Sequence, residues 1–312
     1  MSDFKIMHVS EAYQSAIDYM LKRRAGELPS IKTPWDKVNQ ATMNGLEWHS
    51  IVVVGGRPGS GKTLFTNLIT REAHRLNPDQ GFIVLDFQFE MLARNTALRE
   101  FAATTGKTIK QLTSVYDPLE EQEMLAVRKY VHQNKDKPIY IVEKAGTVSD
   151  MKLVIEEALK MHNKPIVVTI DHSVLVQKGA TEKDTFDTLH NLAKMMTDLK
   201  RRKVMFLVLT QLNREVESIE RQKPGTYGNY LFDSDIYGGD ALLQHADVVI
   251  GINRPSKYNL PVYGPNKYIV DKDLLCMHVL KNRNGNAPLL LFFREDYGHM
   301  MIHERDEPPT TR

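Results

Sequence analysis

Short apolar runs alternate with amphipathic stretches along most of the chain. The apolar runs predict strands at residues 51–55, 82–87, 138–142, 166–170, 204–209 and 248–252. Apolar residues at helical spacing predict intervening helices near residues 63–75, 91–104, 118–134, 149–162 and 184–201. Strands that alternate with helices are typical of an α/β fold, in which crossover helices cover both faces of a mostly parallel sheet.

The pattern changes in the last part of the chain. Three closely spaced apolar runs lie at residues 274–280, 289–293 and 299–302. They are joined by turn residues such as Asn284-Gly285, which predicts an antiparallel edge added to the parallel sheet. Residues 214–239 and 255–273 lack a clear period, and we interpret them as loops.

The first residues predict a separate amphipathic helix at about residues 10–25. One face carries apolar side chains at helical spacing: Tyr13, Ile17, Met20 and Leu21. A Pro-containing linker follows at 26–34, so this helix either folds back on its own chain or docks on another subunit. The chain's last residues are polar and contain proline, which predicts a flexible tail. We therefore divide the chain into a helix with its linker, a main α/β domain and a tail, at residues 1–34, 35–303 and 304–312.

Composition is that of an ordinary globular chain, with 312 residues of which 42% are hydrophobic and 26% charged. The formal net charge is only +2, so a nucleic-acid surface would have to be a local patch. The single cysteine, Cys276, excludes an internal disulfide and fits a reducing compartment. No apolar run reaches transmembrane length and the start lacks a signal-peptide core, so we expect a cytoplasmic protein without a membrane partner.

The most specific motif is a glycine-rich loop directly after the first long predicted strand. It reads Gly56-Arg57-Pro58-Gly59-Ser60-Gly61-Lys62-Thr63 and opens the next predicted helix. Glycines let backbone N–H groups close on a polyphosphate, and the helix N-terminus favours its negative charge. The pattern predicts that Lys62 reaches the β- and γ-phosphates of a nucleoside triphosphate and that the Thr63 hydroxyl binds Mg²⁺.

Polar residues follow three of the other strands, at the edge where open α/β sheets bind ligands. They are Glu90, Asp171 and Gln211. Asp171 would belong to the Mg²⁺ shell, Glu90 would orient and deprotonate water, and Gln211 would sense the γ-phosphate. These are the functional groups that a nucleoside-triphosphate hydrolase needs.

Each of these residues also has a purely structural interpretation. Asp171 could cap a helix, Glu90 could complement a helix dipole, and Gln211 could be an ordinary loop amide. Asp86 competes with Glu90 as the base, but it could instead be a buried, paired carboxylate within its strand.

Together the motifs resemble the RecA-like motor domain of DnaB-type replicative helicases. The matching segments are Gly45-Leu46, residues 57–63, Phe87-Gln88-Phe89-Glu90-Met91, Ile170-Asp171, Gln211-Leu212-Asn213-Arg214, Gln244-His245-Ala246-Asp247 and Lys281-Asn282-Arg283-Asn284-Gly285. Their order and rough spacing agree from about residue 45 to residue 295. The helix at 10–25 resembles the family's linker helix, which docks on the neighbouring motor of a hexameric ring. From this match we expect the chain to lack the family's separate N-terminal helical domain.

The resemblance implies a role for individual residues. Glu90, Asp171 and Gln211 match the catalytic glutamate, the Mg²⁺-shell aspartate and the γ-phosphate sensor. Lys281 and Arg283 match the pair that reaches the next subunit's nucleotide as an arginine finger. Arg254 matches an arginine that stacks on the adenine of ATP, with Phe293 on the other face. Without the resemblance, we would interpret Lys281 and Arg283 as a basic strand edge that discourages aggregation.

The chain departs from the family where DNA is bound. A DNA-contacting loop that usually reads Asp-Leu-Arg-Glu-Ser-Gly is Asp235-Ile236-Tyr237-Gly238-Gly239-Asp240, with Tyr237 in place of arginine. Basic and aromatic residues interleave ahead of it: Arg221, Lys223, Tyr227, Tyr230 and Phe232. Such a patch can hold single strands by phosphate contact and base stacking, although acidic neighbours dilute it. His172 stands where the family usually has tyrosine, and with His245 and His278 it shows no metal-ligand spacing, so we interpret these histidines as structural.

These observations lead to one functional prediction and two alternatives. We expect an ATP- and Mg²⁺-dependent helicase that moves on single-stranded DNA as a homohexameric ring, with a primase or loader as further partner. One alternative is a RadA- or RecA-like recombination ATPase, although the chain lacks the four-cysteine zinc module of RadA proteins. The other is an ATP-switched loader or regulator that does not act as a motor.

Overall fold

The computed structural model describes residues 6–27, 30–223 and 230–312. Its helices are α1 (Val9–Arg24), α2 (Asp36–Ala41), α3 (Lys62–Leu76), α4 (Ala93–Thr105), α5 (Ile109–Leu112), α6 (Glu121–Asn134), α7 (Val148–His162), α8 (Thr185–Lys200) and α9 (Gly239–His245). Its strands are β1 (Ser30–Ile31), β2 (Leu46–Glu47), β3 (Ile51–Gly56), β4 (Ile83–Gln88), β5 (Ile139–Val142), β6 (Ile166–Asp171), β7 (Val204–Thr210), β8 (Val248–Asn253), β9 (Val262–Tyr263), β10 (Tyr268–Ile269), β11 (Leu274–Asn282), β12 (Leu289–Asp296) and β13 (Met301–Glu304). Among the described residues, no helix is both long and apolar enough to cross a membrane.

One large sheet organises the described part of the chain. Its nine strands lie in the order β13-β12-β11-β8-β3-β7-β6-β4-β5. Strands β3 to β8 are parallel to one another, whereas β11, β12 and β13 add antiparallel pairs at one edge. The predicted α/β fold with an antiparallel edge is therefore confirmed, and the predicted parallel strands end within one residue of the observed ends.

The core forms on both faces of this sheet because the central strands are apolar throughout. In β3, Ile51 and Val53 pack on the face covered by α7, α8 and α9, whereas Val52 and Val54 pack on the face covered by α3. Successive side chains of a strand point to opposite faces, so a strand buried on both sides needs an unbroken apolar run. This burial fixes the ends of the strands, and hence the position of the loops that follow them.

The predicted linker and the predicted tail both make contacts with the rest of the domain. Strand β1, inside the predicted linker, pairs with β2, and Ile31 is fully buried. In the predicted flexible tail, Thr311 forms a β-bridge with Tyr268, and Arg305 forms an ion pair of 2.5 Å with Asp271. Two-residue strands have no detectable period, which is why the sequence pattern did not reveal these contacts.

Helix α1 remains loosely attached to the rest of the chain. It has no buried residue, and its apolar stripe is exposed, for example 65% at Tyr13 and 67% at Met20. Contact with the domain comes from its last turns, where Arg23 donates to the Met43 carbonyl (2.9 Å) and forms an ion pair with Glu47. The described residues of the chain thus leave the stripe uncovered.

Candidate nucleotide-binding site

The glycine-rich loop joins the end of β3 to the start of α3. Gly61 is the N-cap of α3 and adopts a left-handed backbone conformation with φ of 95°, which favours glycine. A Cβ atom at Gly56 would collide with the side chains of Ser60 and Lys62. The backbone therefore needs glycine at both positions to form the turn that presents N–H groups to an anion.

A cleft of about 270 Å³ lies over this loop. It is lined by Pro58, Gly59, Gly61, Lys62, Thr63, Leu64, Glu90, Met91, Arg99, Tyr297 and Met300. Lys62 is only 9% exposed, and its Nζ lies 3.4 Å from the Arg57 carbonyl. Burial lowers the pKa of Lys62, whereas the charges of Asp171 and Glu90 oppose this change. A buried cation at a helix N-terminus makes the cleft receptive to a polyphosphate.

Asp171 ends β6 beside this loop and is almost fully buried. Its Oδ1 atom has no hydrogen-bond partner among the described residues. Burial raises the pKa of Asp171 to about 6, and a hydrogen bond with Thr63 opposes the rise. An unpartnered carboxylate oxygen next to a hydroxyl is a donor set that fits a hard divalent cation such as Mg²⁺.

The two candidate bases differ sharply in their surroundings. Glu90 lines the cleft with its side chain 57% exposed, and its Oε2 lies 3.7 Å from His172 Nε2. Asp86 is buried and accepts hydrogen bonds from Thr169 and from Gln88 (2.6 Å). Burial raises the pKa of Asp86. Of these two carboxylates, Glu90 is the one placed to contact water in the cleft.

Gln211 and Arg57 lie at the same edge of the sheet, but their hydrogen bonds are made with the segment that follows β7. Gln211 directly follows β7, and its carbonyl accepts from the Tyr237 backbone N–H (2.9 Å). The guanidinium of Arg57 donates to the Leu212 carbonyl (3.0 Å) and to Glu217 (2.7 Å). Although we predicted nucleotide binding for all of residues 56–63, the Arg57 side chain is engaged with the segment after β7.

The aromatic residue beside the glycine-rich loop is not the one we predicted. Phe293 is fully buried in the core, where its ring centroid lies 6.2 Å from that of Trp35, so the prediction that it faces adenine is wrong. Tyr297 instead donates to the Ser60 carbonyl (2.6 Å), and the Arg254 guanidinium lies 5.0 Å from its ring centroid. Arg254 also forms an ion pair with Glu295.

Two further cations lie at the site that no sequence motif indicated. Arg99 projects from α4 into the cleft, where burial lowers its pKa and the charges of Asp171 and Glu90 oppose this change. Lys257 donates to the Pro58 carbonyl (2.6 Å). Arg99 lies in a predicted helix that follows Glu90, but the pattern did not say which face of that helix meets the loop.

Lys281 and Arg283 lie at the other end of the sheet from this cleft. Arg283 contacts Asp247 (3.2 Å), and Asp247 accepts from the backbone N–H of Ile51, the first residue of β3 (2.9 Å). The glycine-rich loop follows the last residue of β3. Lys281 donates to the Leu243 carbonyl at the end of α9 (2.5 Å). Arg283 is thus separated from the phosphate loop of its own chain by the length of β3.

Comparison with known proteins identifies the family. A family model described as the DnaB-like helicase C terminal domain matches residues 30–300. The chain belongs to this family.

Curated relatives agree with this assignment. The chain is 25% identical over 258 residues to the replicative DNA helicase DnaB of Helicobacter pylori (strain ATCC 700392 / 26695), covering 81% of this chain and 50% of the relative. It is 24% identical over 289 residues to the replicative DNA helicase DnaC of Bacillus subtilis (strain 168), covering 91% and 59%. The chain thus spans little more than half the length of these relatives.

Two solved structures share the fold. One, described as an ATPase domain, superposes with a TM-score of 0.81 at 16% identity, covering 97% of this chain and 100% of that one. A DnaB-like replicative helicase, solved in a study of its interactions with primase, gives 0.78 at 16% identity and covers 98% and 69%. The fold is therefore the RecA-like fold of DnaB-family ATPase domains.

In this DnaB-family domain, the predicted DNA-binding patch is largely engaged in internal contacts. Arg221 binds Asp235 (2.5 Å) and the Tyr230 carbonyl (2.5 Å), and lies 5.4 Å from the ring centroid of Phe232. These contacts engage much of the Arg221 guanidinium, and its contact with DNA stays a prediction.

The other predicted members of the patch differ in their contacts and in how exposed their side chains are. Lys223 pairs with Glu220 (2.6 Å), and the Tyr230 ring packs on His278. Tyr237 is 42% exposed. Tyr227 lies outside the described residues. Of the predicted DNA contacts within the described chain, Tyr237 therefore offers the most accessible ring.

The three singled-out histidines have separate surroundings. His172 faces Glu90, His245 hydrogen-bonds Thr197 (2.7 Å), and His278 hydrogen-bonds Tyr263 (2.8 Å). Burial lowers the pKa of His278 to about 3, so it is neutral at ordinary pH. His245 and His278 thus serve the packing of the domain.

Proposed function

We propose that this chain is the ATP-hydrolysing motor of a replicative DNA helicase and works on single-stranded DNA as a ring. The observation that carries the proposal is the cleft lined by Lys62, Thr63 and Glu90, with Asp171 hydrogen-bonded to Thr63 beside it. Membership of the DnaB-like family and the similarity to replicative helicases support it.

ATP would bind with its phosphates in the glycine-rich loop. Backbone N–H groups of that loop and the Lys62 ammonium would hold the β- and γ-phosphates. Thr63 and Asp171 would hold Mg²⁺, which supplies neutralising charge to the phosphates when it is bound. The Arg254 guanidinium lies over the Tyr297 ring beside the loop, and these two side chains would offer flat surfaces to the adenine.

Hydrolysis would depend on Glu90 and on the cations around the γ-phosphate. Glu90 would accept a proton from the attacking water, because it is an exposed carboxylate that lines the cleft. Arg99 would stabilise the charge that spreads over the transferred phosphoryl group. Gln211 would sense the γ-phosphate, and its hydrogen bond to Tyr237 would pass that state to the DNA-facing loop.

A ring would complete each site with residues from the next subunit. Lys281 and Arg283 cannot serve their own phosphate loop from the far end of β3, whereas a neighbouring copy could present its cleft to them. An arginine supplied in trans accelerates phosphoryl transfer by about 10³-fold or more in well-studied systems. A primase or loader would be a further partner, since one structural neighbour was solved in a study of its interactions with primase.

Two linked assays test the proposal. ATP hydrolysis by the purified chain should rise when single-stranded oligonucleotide is added, and a forked duplex should be unwound only with ATP. Lys62→Ala should abolish both activities, because it removes the cation that holds the phosphates. Hydrolysis without strand separation in assembled rings would contradict the helicase proposal and favour an ATP-switched loader or regulator.

A further inference from the structure

Asp247 gathers groups from three elements at the end of the sheet remote from the cleft. Its Oδ2 accepts from the Ile51 backbone N–H (2.9 Å) and from Lys200 Nζ (2.7 Å). Its Oδ1 lies 3.2 Å from Nη1 of Arg283, and its carbonyl accepts from the Arg283 backbone N–H (2.8 Å). The Asp247 side chain is only 14% exposed, so these contacts are sheltered from solvent.

The Arg283 guanidinium contacts its own chain on one side, and its other side is exposed to solvent. Its backbone and its Nη1 both contact Asp247, and its Nη2 donates to the Gln244 carbonyl (3.4 Å). Half of its side chain is nevertheless exposed, at 50%. A guanidinium has five N–H donors in a rigid fork, so donors remain available on the exposed edge.

Charge makes Asp247 necessary for this arrangement. Lys200, Lys281 and Arg283 converge here, and Asp247 is the carboxylate that contacts two of them. Burial and the charge of Arg283 lower the pKa of Lys281, while Asp247 opposes the change. Without a negative charge at Asp247, repulsion among the cations would favour conformations of Arg283 directed away from the domain.

We propose that Asp247 is a positioning residue, which holds Arg283 in the orientation that completes the nucleotide site of a neighbouring subunit. The inference rests on the proposed ring function. It adds that the finger is set in advance by a carboxylate of its own chain, which also anchors the start of the strand carrying the phosphate loop. A finger that is already oriented loses less side-chain freedom when it meets the phosphate.

Asp247→Asn provides the test, because it removes the charge and keeps the size and an acceptor for the Ile51 N–H. We expect kcat for DNA-stimulated ATP hydrolysis to fall about 10- to 100-fold, the range that a small misplacement of a catalytic group can cost. Affinity for a non-hydrolysable ATP analogue should be unchanged. Lys200→Met is the matched control, since it removes the other cation bound to Asp247 and should retain most of kcat.

The decisive comparison is a double-mutant cycle with Arg283→Ala. If Asp247 acts through Arg283, Asp247→Asn should cause no further loss of kcat in the Arg283→Ala background. A further loss there, or parental kcat in the single variant, would overturn the inference. Unchanged kcat in Arg283→Ala alone would instead refute the in-trans finger itself, so the two failures are distinguishable.

A second variant covers the case in which Asp247→Asn does not fold. Asp247→Glu keeps the charge beside Lys200 but moves the carboxylate outward by one methylene. The positioning role is supported if Asp247→Glu lowers kcat in the parental background but causes no further loss of kcat in the Arg283→Ala background. A folded Asp247→Glu protein with parental kcat and parental oligomeric state contradicts it.

Discussion

At the scale of single residues, burial and pairing assign different roles to carboxylates that look alike in the sequence. Asp171 is buried with an unpartnered oxygen, which suits a cation ligand. Asp86 is buried and fully engaged by Thr169 and Gln88, which suits a structural role. Glu90 is accessible in the cleft, which suits a base.

This contrast predicts opposite outcomes for two conservative substitutions. Glu90→Gln should still bind ATP but lose turnover by about 10²-fold or more, because a general base is removed while the phosphate cradle remains. Asp86→Asn should keep most of the turnover. Single-turnover hydrolysis and binding of a fluorescent ATP analogue measure the two quantities separately. Parental turnover in Glu90→Gln, together with a large loss in Asp86→Asn, would move the base to Asp86.

Asp86→Asn should also change the way in which the free energy of unfolding depends on pH, and the direction follows from the raised pKa of Asp86. The pKa of Asp86 is raised by burial, so the native state binds this proton more tightly than the unfolded state does. The stability that this group contributes is therefore present at low pH and is lost as pH rises from its usual value of 3.8 through the folded pKa. Urea unfolding across this range should show a flatter pH dependence in Asp86→Asn.

At the scale of elements, the described residues between β7 and α9 connect the cleft edge of the sheet with the edge that carries Lys281 and Arg283. A β-bridge joins Leu212 to Ile236, and the Tyr237 N–H binds the Gln211 carbonyl. Helix α9 follows at once, and its last carbonyls accept from Lys281 and Arg283. Contacts of residues 211–212 and 236–245 thus connect the sensor residue, the exposed Tyr237 and the finger pair.

Arg221 should hold this segment together rather than bind DNA. Arg221→Ala leaves the buried Asp235 carboxylate without its cation, which typically costs about 1–3 kcal/mol in unfolding free energy. Limited proteolysis and urea unfolding should both detect the loosened segment. Lys223→Ala is the control, because an exposed ion pair contributes only about 0–1 kcal/mol.

A different result would restore the DNA-binding interpretation of Arg221. That result is unchanged stability of Arg221→Ala with weaker single-strand binding, and with a salt dependence reduced by about one phosphate contact.

At the scale of the whole molecule, α1 is an amphipathic helix whose apolar stripe the described part of its own chain does not cover. The stripe stays exposed while the last turns of the helix are fastened by Arg23 to Glu47 and to the Met43 carbonyl. The fixed end sets the direction in which the helix leaves the domain. This arrangement suits a helix that covers a neighbouring copy in a ring.

Deletion of residues 1–28 should therefore weaken assembly. Burial of the apolar stripe on a neighbour would contribute a few kcal/mol per subunit at about 25 cal/mol per Å². Sedimentation velocity with ATP analogue and single-stranded DNA should show smaller oligomers, while the unfolding free energy of the domain changes little. Arg23→Ala is a matched variant that keeps the stripe and releases only its anchor. Unchanged oligomers after the deletion would mean that α1 does not form the subunit contact.

The sequence by itself determined the sheet, the phosphate loop and the carboxylates near it. Strand periodicity is local, and the carboxyl ends of parallel strands meet at one edge whatever the side chains do. That geometry places Lys62 and Glu90 in one cleft with Asp171 close by, and it can be predicted without knowing how the side chains pack.

Only the tertiary structure decided which other side chains serve the site. Phe293 lies within β12 and is fully buried in the core, whereas Tyr297 comes directly after the end of that strand, where its hydroxyl contacts the Ser60 carbonyl of the phosphate loop. The sequence pattern does not show that Arg57 and Arg221 are paired, but in the structure both form ion pairs with carboxylates distant in the chain. Such pairings depend on long-range contacts, and no local pattern of hydrophobic and polar residues encodes them.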